Sequence, residues 1–160
     1  MCILFLMPWK PGKYISTILH LSCSMLVLCS CQLSVQPNNA ESDKKLAERE
    51  IVKFHNRFNS GDFGTIWDEA ATGLQQVATK RDFVEFLNNG HSECGDFKGV
   101  IDKRINVIIG SPIQVRVVYN SQFDKAVLTE IFAFIKTDGK IFLSEYKVAR
   151  GPSKLPDTGR

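Results

Sequence analysis

The sequence has no CxxC pair and no Cys/His spacing that would hold zinc. No metal or cofactor is expected from it. No disulfide framework can be drawn either, because Cys2, Cys23 and Cys29 fall within the first 30 residues and leave only Cys31 and Cys94. It has no run of like charge and no basic stripe. The formal net charge is +3, and it falls to near +1 without Lys10 and Lys13, so nucleic acid is not implied as a partner. It has no internal repeat. Its longest apolar stretch, Tyr14 to Leu28, is shorter than the roughly 20 residues that span a bilayer. No Asp–His or Glu–His pair stands at a recognisable spacing, and no strong catalytic motif is present.

What is there begins with an export signal. Lys10 and Lys13 precede the apolar stretch, and Leu28-Cys29-Ser30-Cys31-Gln32 closes it. This is the layout of a bacterial lipoprotein signal, in which Cys31 is lipidated and becomes the first mature residue. The alternatives are an ordinary signal peptidase site and an uncleaved anchor. Translation starts at Met1 or at Met7, since Met7-Pro8-Trp9-Lys10 opens a more ordinary signal. Several acyl chains on one cysteine anchor stably. The implied address is the bacterial cell envelope, outward of the cytoplasmic membrane. Gln32 after Cys31 favours the outer membrane where two membranes exist.

The expected domains are a signal over residues 1–30, a lipidated cysteine and polar tether over 31–41, an α+β domain over 42–149, and a disordered tail over 150–160. In the first helix Leu46, Ala47, Ile51, Phe54 and Phe58 recur at three- and four-residue spacing. Gly61 stops it, and Asp62 caps a short second helix bearing Phe63, Ile66, Trp67 and Ala70. Thr79 opens a third helix with Phe83, Phe86 and Leu87, which Asn88-Asn89-Gly90 ends. His91-Ser92-Glu93-Cys94-Gly95 then reads as a polar turn. The period changes to 2 after Gly95. Ile101, Lys103, Ile105, Val107 and Ile109 share one face of a first strand. Ile113, Val115, Val117 and Tyr119 share one face of a second. A third strand follows from Ala126 to Lys136, and Asp138-Gly139 turns the chain into a last strand over Lys140 to Ala149. Three helices before an antiparallel meander predict helices packed on one face of a curved, mostly four-stranded sheet. Leu155-Pro156-Asp157-Thr158-Gly159 matches the pattern cut by sortases. With only Arg160 after it, it is not read as a sorting signal.

The order of Asn59-Ser60-Gly61-Asp62-Phe63, Ile66-Trp67-Asp68-Glu69-Ala70, Tyr119-Asn120-Ser121-Gln122-Phe123, Ala126-Val127-Leu128-Thr129-Glu130 and Asp138-Gly139 with Tyr146 carries a resemblance. Residues 45 to 149 resemble a family of small exported bacterial proteins with a domain of unknown function. That family is placed in the nuclear-transport-factor-2-like (cystatin-like) superfamily. Ile141 stands where such domains often carry Trp. The resemblance implies a cone made by a bent sheet, its mouth closed by helices. It brings no catalytic residues to carry over.

Some members of that superfamily are isomerases or dehydratases with an acid–base residue in an apolar cavity, which calls for a carboxylate or imidazole moved by burial. Glu130, alternating with Leu128, Phe132 and Phe134, and His55, beside Ile51 and Phe58, are the candidates. Tyr119 and Tyr146 would supply hydroxyls. The plainer expectation pairs Glu130 with Arg104 or Arg116 on a neighbouring strand and makes His55 an ordinary amphipathic side chain. Cys94 and His91 sit three apart, too little to mark a nucleophile and its base. The residues therefore lean towards a non-catalytic, lipid-anchored protein that binds a partner protein or a small apolar ligand. A small isomerase, dehydratase or hydrolase is one alternative. A homodimer joined through the open sheet face is the other.

Overall fold

The computed structural model describes residues 37–153. Cys31, the signal and Leu155–Gly159 lie outside them. Helix α1 spans Pro37–Ser60, beginning at a proline, the residue best suited to a first helical position. The expected tether to residue 41 is thus partly helix. Ala47, Ile51, Phe54 and Phe58 are buried along one stripe of α1, as their spacing requires.

Helix α2 is Phe63–Asp68, and the Asp62 side chain accepts from Thr65 N at 3.4 Å. A further short helix, α3, spans Thr72–Val77 and makes four helices among the described residues, where three are expected. It buries only Leu74, too little to leave a periodic signal. Helix α4, Lys80–Cys94, opens on Thr79, whose hydroxyl accepts from Asp82 N at 3.2 Å. It does not end at Asn88-Asn89-Gly90. Phe83, Leu87 and Cys94 keep one buried face, and tertiary burial carries the helix through the glycine. It stops at Gly95, at φ 76°. A Cβ there would lie 2.6 Å from Asp124 Cβ, so the close approach also demands glycine.

Strands β1 (Phe97–Ile108), β2 (Ile113–Phe123), β3 (Val127–Thr137) and β4 (Lys140–Arg150) form an antiparallel sheet in the order β1-β2-β3-β4. Asp138 and Gly139 both have positive φ, at 51° and 73°, as a two-residue hairpin turn needs. The helices pack on the face that carries Val115, Val117, Tyr119, Leu128, Glu130, Phe132 and Phe134. Strand β1 starts before the expected Ile101. Register shifts between Phe97 and Gly99 and between Val100 and Asp102 break its alternation. Ile101 is therefore 57% exposed, while Ile105 and Val107 still pack on the core.

The tail is ordered further than expected. Ser153 N donates to Asn120 Oδ1 at 3.1 Å and to Thr129 Oγ1 at 2.8 Å. Thr129 Oγ1 lies 2.8 Å from both Gly151 O and Asn120 Oδ1, which share its one proton. These bonds pin residues 151–153 against the other face of the sheet.

Phe132 is fully buried, and its ring meets those of Phe54, His55, Tyr119, Phe134 and Tyr146. Replacing it with alanine is expected to cost about 3–5 kcal/mol in urea unfolding, whereas Val52→Ala on the exposed face of α1 should stay within about 0.5 kcal/mol. Equal losses would show that the aromatic cluster is not the core.

Candidate functional site

Alternation along β3 turns Glu130 to the covered face, among Leu128, Phe132 and Phe134. Its exposure is 0%, and a carboxylate taken from water needs donors. Two come from distant parts of the chain. His55 Nε2 lies 3.1 Å from Glu130 Oε1 and 3.0 Å from Oε2. The Tyr146 hydroxyl donates to Oε1 at 2.8 Å. His55 itself is only 4% exposed and stacks on Phe97, ring centroids 3.6 Å apart and planes 5° from parallel.

The expected partners of Glu130 are thereby corrected. Arg116 pairs in register with Ala133, and Arg104 with Val118, so both point to the opposite face from Glu130. His55 is not an ordinary amphipathic side chain, because it completes the buried group. A Glu–His pair therefore exists, but its members are 75 residues apart in sequence, where no spacing rule finds them.

Tyr146 reaches Glu130 through a bulge. Phe134 pairs with Leu143, but Ala133 pairs with Glu145, so Ser144 is an extra residue on β4. Ile141 and Leu143 face the core before it, and Tyr146, Val148 and Arg150 share the covered side after it. Burial, then the charge and hydrogen bond of Glu130, push the Tyr146 phenol well above its usual range. Burial, then the charges of Glu48 and Glu130, push Tyr119 up to about 12.

Beside this group an open-mouthed pocket of about 240 Å³ lies between α4 and the second half of β4. Phe58, Phe123, Leu128, Phe86, Leu87 and Tyr146 supply most of its wall. Phe86 and Val148, 44% and 37% exposed, leave apolar surface in water there. Cys94 also lines it, as a buried free thiol. The expected polar turn around Cys94 is the last turn of α4, and His91 bonds Asp96 Oδ1 at 2.9 Å. On the other side of Glu130, His55 and Tyr119 border an open groove of about 490 Å³ between α1 and β1, rimmed by the ion pair of Lys103 with Glu48. Among the described residues no cluster of side chains is arranged to hold a metal ion, and no helix is long and apolar enough to cross a membrane.

No family model matches the chain, nor does any curated protein or solved structure. The site is therefore read from its geometry.

Two outcomes test the buried group. His55→Leu leaves Glu130 with one donor and should cost about 3–5 kcal/mol. Adding Glu130→Leu should recover part of that loss, with a coupling of about 0.5–3 kcal/mol by urea unfolding of the two single variants and the double. Strict additivity would show that the two side chains are independent. The second outcome is alkaline. Folding holds both phenols protonated, so their stabilisation is complete below the unfolded tyrosine value of about 10. It is lost as pH rises towards 12 and beyond. Ultraviolet titration should show Tyr119 and Tyr146 ionising late, with unfolding, and Tyr119→Phe should flatten the decline. Ionisation of both near pH 10 in a folded chain would contradict their burial.

Proposed function

We propose that this chain is a lipid-anchored envelope protein with a cystatin-like domain, and that the domain binds a small apolar ligand without transforming it. The pocket between α4 and β4 carries the reading. It is concave, mostly apolar and edged by a few polar groups, the usual make-up of a small-molecule site. Its volume compares with the roughly 150 Å³ of an engineered apolar cavity that takes up benzene. The envelope address is supported by the residues from Lys10 to Cys31. The cone shape is supported by the resemblance, together with an open antiparallel sheet covered by helices on one face.

A second reading, a small isomerase, dehydratase or hydrolase, is favoured by one observation, the burial of His55 and Glu130 together. It is the weaker of the two. Both carboxylate oxygens and His55 Nε2 are already engaged with each other, Glu130 lines neither the pocket nor the groove, and His55 borders only the groove.

The pocket can be blocked without disturbing the fold. Gly90 lines it, and a Cβ built there meets nothing within 4 Å. Gly90→Leu should raise stability slightly, by up to about 1 kcal/mol from helix propensity. It should also abolish the thermal stabilisation that para-xylene gives the full chain. Cys31→Ala, assayed alongside, should lose acyl labelling, give an unprocessed precursor or a soluble species, and leave para-xylene binding unchanged. Absence of any para-xylene effect on the wild type would remove the ligand reading, and acyl labelling that survives in Cys31→Ala would remove the anchor.

A further inference from the structure

We infer that the pocket selects a small, ring-sized apolar molecule carrying one hydroxyl, with the Tyr146 phenolic oxygen accepting a hydrogen bond from that hydroxyl. The inference rests on the reading of this pocket as a ligand site and names the ligand's polar chemistry.

The argument starts from Tyr146's single proton. A phenol has one O–H to donate and lone pairs to accept with. That proton is committed to Glu130 Oε1 at 2.8 Å. A bond to a carboxylate is roughly twice as strong as one between neutral groups. A ligand carbonyl competing for the proton would leave a fully buried carboxylate with one donor fewer. A ligand hydroxyl meets no such competition, because it donates to the oxygen while Tyr146 keeps its bond to Glu130. The two bonds then run in one direction, from ligand to Tyr146 to Glu130, and each polarises the next.

The rest of the wall makes Tyr146 the discriminating group. Phe58, Phe86, Leu87, Phe123 and Leu128 offer no polar side-chain atom. The buried Cys94 thiol is a weak donor and a weak acceptor. Asn89, Glu93 and Arg150 are exposed at the mouth, where Arg150 Nη2 already bonds Glu93 Oε2 at 2.9 Å. Burial holds the phenol protonated throughout the neutral range, so the arrangement is not altered there by pH.

The test uses three probes of similar size, para-cresol, para-xylene and para-methylanisole, on the full chain by calorimetry. Para-cresol offers a donor, para-methylanisole only an acceptor, para-xylene neither. The ratio of para-cresol to para-methylanisole affinity should fall by about threefold to tenfold in Tyr146→Phe, the worth of one neutral hydrogen bond, with para-xylene affinity little changed. Comparing ratios between the two proteins cancels the probes' different solubilities in water. A measurement on the wild type covers the case in which the variant fails to fold. The Tyr146 Cζ resonance should move on adding para-cresol more than on adding para-xylene. An unchanged ratio, or equal movement with both probes, overturns the donor preference while the pocket stands. Failure of all three probes to bind overturns the pocket reading as well.

Discussion

Glu130 sits on an inner strand of the sheet with no part of its side chain in water, and the positions of three other segments are constrained by it. A buried carboxylate costs several kcal/mol in lost hydration unless donors surround it. Its own strand supplies none, since Leu128 and Phe132 flank it on the same face. Helix α1 must therefore cross the sheet where His55 can reach both oxygens. Strand β1 must bring Phe97 flat against the imidazole. Strand β4 must deliver Tyr146 on the covered side. Each is also a packing event, because Phe54 and Phe132 close on His55 and Tyr146 from the apolar side. The polar group and the hydrophobic core are thus placed by the same contacts.

Strict alternation from Ile141 and Leu143 would send Tyr146 to the far face with Phe142, and the extra residue at Ser144 reverses that phase. The same reversal turns Val148 and Arg150 to the covered side, near the end of an edge strand. On the helical side of the pocket stands Gly90, with no side chain to project into it. A strand turned inward beyond its helical cover, opposite a helix that presents a glycine, leaves the space lined by Phe86, Leu87 and Val148. The pocket follows from the bulge that satisfies Glu130.

Much of this was legible in the residues, and the remainder was hidden for definable reasons. The stripe from Ala47 to Phe58 and the alternation of β2 and β3 are periodic signals, and the structure carries them as read. The hairpin at Asp138-Gly139 is local chemistry, and it too is as read. The candidates Glu130 and His55 were found singly, from the faces they share with apolar neighbours. Their union was not, because contact across 75 residues depends on how α1 crosses the sheet. Arg104 and Arg116 fail as partners because β-sheet register, and not adjacency of strands alone, decides which side chains share a face. The bulge at Ser144 and the shifts near Gly99 left no mark, since a bulge changes phase without demanding a particular residue. Asp43 escaped as well. It is buried near the start of α1 and meets Lys136 Nζ at 2.6 Å, a contact that needs the whole fold to form.

The two sides of Glu130 offer different polar groups. Towards β1 lies a groove of about 490 Å³ lined by Phe97, Tyr119 and His55 and rimmed by the ion pair of Lys103 with Glu48. Towards α4 lie aromatic and aliphatic walls with Tyr146 among them. One carboxylate joins the two, and Oε1 is shared between His55 and Tyr146. Charge drawn towards one donor is charge withdrawn from the other, so a molecule bonding to Tyr146 would alter the hold on His55 without touching it. That coupling needs no moving segment. It requires only that both donors stay on the same buried group, and the aromatic packing around Phe132 keeps them there.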